Sequence, residues 1–274
     1  MSAPVIPIAT DRPMLVADTA TMLRRRVRHL RRYLSLTIML IAQPIVFLLL
    51  FVFVFGATMG AGLAGPGGGR DAYLAFITPA VLLMTVASVA LGTAIGVATD
   101  MTEGIVARFR TMAIARSSVL TGHVAGAFVQ TAAGLAVVLG VALLLGFRSD
   151  AGPLAWLGVA GMLALLTLAL TWLTVALGLA AGSVETASNT PMFLVLLPFL
   201  GSGFVPVESM PAGLRWFAEY QPFTPVIDTL RGLLGVGDTA GLGTDAALAV
   251  GWCVVVTAAC VLWSRRLYES RSSS

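Results

Sequence analysis

Residues 200–234 read LGSGFVPVESMPAGLRWFAEYQPFTPVIDTLRGLL, and the stretch is neither a plain loop nor a plain membrane span. Met210-Pro211 opens a short run in which Leu214, Phe217 and Ala218 share a helical face. Gln221-Pro222 stops it, because proline disfavours helix at the residue before it. Thr224-Pro225 then has the cap-then-proline signature of a new helix, with Leu230 and Leu233 inward and Gly235 as its stop. The spacing predicts two short amphipathic helices around a proline-rich corner. Being half apolar, they are expected to re-enter the outer leaflet, where Trp216 and Tyr220 suit the interface.

On either side of this corner the chain is apolar. Of its 274 residues 58% are hydrophobic and 11% charged, about half the charge of an ordinary globular domain, so the chain reads as an integral membrane protein. Apolar runs cover residues 33–55, 72–99, 119–147, 154–181 and 191–207 before the corner and 246–263 after it. A spanning helix needs roughly 20 such residues, and only the run at 191–207, which holds Pro191 and Pro198, falls clearly short. The expected fold class is an all-α integral membrane protein whose transmembrane domain, residues 33–264, has six transmembrane helices with an irregular fifth.

All 17 basic residues are arginine. All but Arg70, Arg148, Arg215 and Arg231 fall before residue 33, between residues 100 and 118, or after residue 264, so the positive-inside rule puts both termini in the cytoplasm. Residues 1–17, with three prolines and no apolar period, read as a flexible cytoplasmic tail, and residues 265–274 as a cytoplasmic tail at the other end. In residues 18–32, Leu23, Val27 and Leu30 recur at helical spacing while Arg24, Arg25, Arg28, Arg31 and Arg32 take the other faces. That is the pattern of a basic helix in the headgroup layer, although a basic flank that only fixes orientation would look the same.

Residues 100–123, DMTEGIVARFRTMAIARSSVLTGH, form a charged island between the second and third runs. On a helix from Glu103, Ile105, Phe109 and Met112 share one side, Arg108 and Thr111 lie on the other, and Arg110 flanks the stripe. Arg116 would return to the apolar side, so this helix is expected to end before it. From the residues alone it is an inner-surface element, an anchor or a docking helix.

Several functions are excluded by composition. Without lysine there is no Walker-type phosphate loop and no Schiff-base enzyme. His29 and His123 are the two histidines, and with no HExxH pattern and no acidic cluster, metal catalysis lacks ligands. No metal or cofactor is expected in this chain. Ion-coupled transporters keep ionisable groups at membrane depth, whereas every Asp and Glu here maps to a loop or an interface. Ion-coupled secondary transport or efflux without an ATPase is therefore the alternative to transport energised by a partner. Cys253 and Cys260, seven apart in one run, read as packing residues. Gly92 with Gly96, Gly122 with Gly126, and Gly178 with Gly182 have the spacing that lets helix backbones meet.

The order of motifs around the corner carries a resemblance. A short fifth span, Phe204-Val205-Pro206, Met210-Pro211, an apolar helix, Gln221-Pro222-Phe223-Thr224-Pro225-Val226-Ile227-Asp228 and Leu230-Arg231-Gly232-Leu233-Leu234 together resemble the permease subunits of type-2 ABC exporters, particularly the daunorubicin/doxorubicin-resistance branch. Glu103-Gly104, Arg108-Phe109-Arg110-Thr111-Met112 and Ile114-Ala115-Arg116-Ser117 are similar to that branch's first cytoplasmic loop. His123 stands where a basic residue is more common, and Gln221 where Asn often precedes Pro.

The resemblance implies a membrane subunit of an ATP-driven exporter of hydrophobic or amphipathic substrates. It makes Glu103, Gly104, Arg108, Phe109, Arg110, Met112, Ile114 and Arg116 a coupling helix for a separate ABC ATPase. It further implies two ATPase copies binding ATP and Mg, a second permease copy or related permease, and membrane lipid around them, with no nucleic acid. The basic helix at 18–32 would lie beside the coupling loop. The external segment with Pro206, Met210, Pro211, Pro222, Phe223, Thr224, Pro225, Asp228 and Arg231 would shape the exit, and Asp228 and Arg231, one turn apart, could satisfy each other.

Overall fold

Among the described residues five segments are both long and apolar enough to cross a bilayer, and they carry the fold: Ile38–Leu63, Arg70–Thr102, Leu120–Leu144, Pro153–Ala180 and Leu242–Leu267. The computed structural model describes residues 34–64, 69–102, 116–236 and 241–273, and among these residues the regular structure is helical with no strand. α1 (Leu34–Leu50) runs through a π-helical turn, Phe51–Phe55, into α2 (Gly56–Ala64). α3 (Arg70–Thr102), α4 (Arg116–Leu144) and α5 (Pro153–Ala180) follow. The irregular fifth segment, expected over residues 191–207, starts earlier and ends earlier as helix: it is broken into α6 (Val184–Asn189), a 3₁₀ turn at Thr190–Met192, α7 (Phe193–Leu196) and a second 3₁₀ turn at Leu197–Leu200. Then come a 3₁₀ turn at Val207–Ser209, α8 (Ala212–Tyr220), α9 (Phe223–Leu233) and α10 (Leu242–Ser273).

The tail of residues 1–17, the basic helix with Arg24, Arg25, Arg28, Arg31 and Arg32, and the coupling residues Glu103, Gly104, Arg108, Phe109, Arg110, Met112 and Ile114 lie outside the described residues. Arg116 is described as the first residue of α4.

α3 is the hub. Its 33 residues make a rod of about 50 Å, longer than the roughly 30 Å hydrocarbon core, and its side chains are buried on every face from Leu74 to Ala90 except at Ala75 and Phe76. It packs against α1, α2, α4, α5, α6 and α9. α5 is the second most buried span, whereas only 17–33% of the apolar windows of α1, α4 and α10 is buried. In a chain this apolar, such exposed faces meet lipid or another membrane protein, since the bilayer takes the place of water as their solvent. Between α4 and α5 a cavity of about 300 Å³ opens against Leu82, lined by Phe128, Leu135, Leu139, Trp156 and Leu163.

Close backbone approach fixes this packing. A Cβ on Gly178 of α5 would lie 2.7 Å from the Ala94 carbonyl oxygen of α3, and one on Gly92 would strike Leu40 of α1. Gly182 has nothing within 4 Å, so its spacing from Gly178 marks no contact. Cys253 and Cys260 are free and buried.

The first span differs from the expected 33–55. The helix continues to Leu63 because the glycine-rich GATMGAGLA continues it rather than ending it, and Gly60 lets the start of the next span fold back with Gly69 against it.

The ends of α4 and α9 share a design. Gly146 (φ +105) and Gly235 (φ +71) take the left-handed conformation. Phe147 N–H reaches back to Ala142 O at 2.9 Å, and Val236 N–H to Arg231 O at 3.0 Å. These are Schellman closures, which satisfy the last helical carbonyls. Ser149 Oγ then donates to Leu234 O at 2.7 Å, tying the α4–α5 connection to the end of α9.

Candidate functional site

The broken fifth segment poses a chemical problem that the rest of the site solves. Pro191 and Pro198 remove backbone donors within it, and the chain leaves helical geometry at Gly201. A backbone carbonyl exposed to hydrocarbon costs several kcal/mol, by order of magnitude, so irregular backbone at membrane depth survives only where protein supplies partners.

Arg231, near the end of α9, is that partner. Its side chain is buried, and its guanidinium donates from Nη2 to the carbonyls of Ser202 and Gly203 and from Nε to Phe76 O of α3 at 3.1 Å. Nη1 donates to Asp228 Oδ1 at 2.9 Å, and the same oxygen accepts from Ser202 Oγ at 2.9 Å. The guanidinium carbon lies 3.7 Å from the centroid of the Phe76 ring, within cation–π range. Planarity and five donors let arginine bind three carbonyls and a carboxylate at once, which lysine could not do. The network locks α9, the break and α3 into one unit.

A second set of bonds fixes the corner between α8 and α9. Thr224 does not cap α9, which begins one residue earlier with Pro222 before it and no side-chain cap. Instead Thr224 Oγ1 donates back to Ala218 O of α8 at 2.5 Å and accepts from Ser202 N–H and Gln221 Nε2, each at 3.4 Å. Gln221 Nε2 also donates to Leu197 O at 3.2 Å. Gly201 is required beside them, since a Cβ there would collide with Gln221 and Thr224.

Aromatic rings pack the break from the other side. The rings of Phe199 and Phe204 stack with centroids 4.4 Å apart, and Phe51 of the π turn sits 4.7 Å from Phe204. Phe47 completes the group at 5.3 Å from Phe199. Tyr73 donates its hydroxyl to Phe204 O at 3.2 Å. The π turn in the first span and the break in the fifth thus face one another.

The structure brings Phe223, Thr224, Pro225 and Arg231 together as buried residues, with Pro222 and Asp228 half-buried beside them. Pro206, Met210 and Pro211 do not join this cluster. Pro206 precedes the turn at Val207–Ser209, and Pro211 precedes α8. α8 is largely exposed: of the expected face only Ala218 is buried, Leu214 and Phe217 are exposed, and Trp216 and Tyr220 project as a pair with centroids 5.6 Å apart. α9 is almost wholly buried against α10, α5 and α3.

Sequence reasoning missed Phe76, Ser202 and Gly203 as partners of Arg231. A signal existed in Gly201-Ser202-Gly203 directly after a proline-broken apolar run, where orphan carbonyls are certain and the next buried cation is their natural donor.

Residues 18–234, well over half of the chain, match the family model described as ABC-2 type transporter. The chain is 28% identical over 268 residues to the daunorubicin resistance ABC transporter permease protein DrrB1 of Streptomyces coeruleorubidus, covering 96% of this chain and 89% of that protein. It is 30% identical over 226 residues to the doxorubicin resistance ABC transporter permease protein DrrB of Mycobacterium tuberculosis, covering 78% and 73%. To the probable doxorubicin resistance permease DrrC of the same species it is 23% identical over 222 residues, 80% and 77% of the two chains. These relatives are bacterial, and with five helices of spanning length the chain is a multi-pass protein of the bacterial plasma membrane. On the family match and on its membrane architecture, the chain belongs to the ABC-2 type transporter family, as a permease subunit.

Proposed function

We infer that this permease is the membrane half of an ATP-driven exporter that moves a hydrophobic or amphipathic substrate, such as an anthracycline-like drug, a lipid or a secondary metabolite, out of the cell. The observation that carries the reading is the similarity over 96% of this chain to a permease named for daunorubicin resistance. The chain itself hydrolyses no ATP. ATP and Mg are bound by a separate ABC ATPase, present in two copies, and two permeases, identical or related, enclose the path between them.

In this reading the chain crosses the membrane six times with both termini cytoplasmic, the broken segment Val184–Leu200 being the fifth crossing. Residues 18–32 lie on the inner surface. Glu103, Gly104, Arg108, Phe109, Arg110, Met112, Ile114 and Arg116 dock into the ATPase, and ATP-driven closure of the ATPases reaches α3 and α4 through them. At the outer end α8 and α9 frame the exit. The anchored break supports this role: the Arg231 network gives non-helical backbone a fixed partner set, so the outer end of the fifth crossing is held on α3 and α9 with its carbonyls shielded from lipid.

The docking role is tested with Phe109→Glu and Arg110→Glu in the assembled complex. Both variants should insert normally, yet ATP-dependent export should fall at least about tenfold, since buried contacts at such interfaces dominate binding. Unchanged export by a normally inserted double variant overturns the docking role.

A further inference from the structure

At the opposite end of the hub from Arg231, a polar contact joins α3 and α4. His123 Nε2 on α4 donates to Asp100 Oδ2 on α3 at 2.9 Å, with side-chain exposures of 6% and 20%. A carboxylate can only accept, so the histidine holds its proton on Nε2. Burial of an ionisable pair at the end of spanning helices is costly, and such pairs mark function more often than ordinary packing does.

The surroundings say what the pair holds. Val97, Leu120, Val124, Val175 and Leu179 form an apolar cluster of their own, separate from the main core, with Met101, Phe128, Trp172 and Leu267 packed against it. Asp100 follows Val97 by one turn, and His123 lies between Leu120 and Val124, so the pair edges this cluster. Gly178 of α5 seats on Ala94 and Val97 of α3 immediately beneath. The inner ends of α3, α4, α5 and α10 are thus one small packed body, with Asp100 two residues before the end of α3 and His123 the eighth residue of α4; residues 103–115 join these two helices in sequence.

We propose that Asp100 and His123 are a positioning pair for energy coupling: their hydrogen bond makes the inner ends of α3 and α4 move as one, so that displacement of the intervening loop is delivered to α5 rather than absorbed by separation of the two helices. The proposal rests on the docking role of that loop. The pair touches neither nucleotide nor substrate. It works by geometry, and it predicts a loss of coupling without a matching loss of folding.

The test compares wild type, Asp100→Leu, His123→Leu and the exchanged Asp100→His/His123→Asp protein, each assembled with the ATPase in liposomes, leucine being chosen because Asn or Gln would still hydrogen-bond. Daunorubicin transport and ATP hydrolysis are measured on the same preparations, with thermal unfolding of each complex alongside. In the single variants transport per ATP should fall about tenfold, toward the upper range for a residue on a coupling route, while hydrolysis stays within about twofold and complexes still assemble. The exchanged pair, which restores the contact in reverse, should recover most of the loss. Unchanged transport per ATP in both single variants, with the Phe109 and Arg110 variants uncoupled, overturns this proposal alone. Loss of insertion or thermal stability in step with transport, at constant transport per ATP, assigns the pair to folding and also overturns it. Full export in the Phe109 and Arg110 variants removes the docking role and the proposal with it.

Discussion

Arg231 is a single side chain on which three segments depend. Removing it strands the Ser202 and Gly203 carbonyls, frees Phe76 O and leaves Asp228 without its cation. Breaking one side of a buried ion pair costs about 3–5 kcal/mol, so Arg231→Ala should lower the unfolding temperature in detergent sharply and reduce the yield of inserted protein. Arg231→Lys keeps the charge but cannot reach three carbonyls, and should recover only part of that loss. Equal stability of Arg231→Lys and wild type would mean that charge alone suffices. By contrast, the exposed Arg215–Glu219 pair, four residues apart on α8 at 2.8 Å, contributes only about 0.3–0.5 kcal/mol. The Asp228–Arg231 pairing was legible from one-turn spacing. Of the carbonyl ligands, Ser202 and Gly203 were signalled only indirectly, by the glycine-flanked stretch after the proline-broken run, and Phe76, 155 residues away along the chain, has no side-chain signature at all.

At the scale of elements, the packing of α5 on α3 is set by one glycine. Gly178→Ala must push a methyl group to within 2.7 Å of the Ala94 carbonyl oxygen, an overpacking worth about 1–3 kcal/mol. Gly161→Ala on the same helix meets nothing within 4 Å and should be neutral or stabilising by up to about 1 kcal/mol through helix propensity. Thermal unfolding of the two variants side by side checks the contrast, and equal shifts would rule out close α3–α5 contact. Spacing alone could not separate Gly178 from Gly182, since i,i+4 glycines share a face only if the helix continues, and here α5 stops at Ala180. The start of α9 was misplaced by two residues, with Pro222 rather than Thr224 before its first turn, for a related reason. The Thr224 hydroxyl satisfies the end of α8 instead of the start of its own helix, and tertiary demand overrode a local capping signal.

For the whole molecule, the hydrophobic runs marked five helices of spanning length and one broken segment, because a bilayer imposes length and backbone saturation directly on sequence. The first span outran its expected end, since glycines that look like a stop in water continue a helix in lipid when a neighbour packs on them. Arginine placement puts both termini inside, and labelling checks that orientation directly. In a background lacking Cys253 and Cys260, Asp150→Cys should react with an impermeant maleimide from outside intact cells, and Glu185→Cys only after the membrane is opened. The reverse labelling would invert the topology.

The central claim is that transport by this permease is energised by a partner's ATP. Its most direct test is daunorubicin accumulation in inverted membrane vesicles containing the permease with or without its ATPase. The account predicts ATP-dependent accumulation that survives a protonophore and vanishes without the ATPase. Accumulation by the permease alone, driven by an imposed proton or sodium gradient and indifferent to ATP, would contradict it.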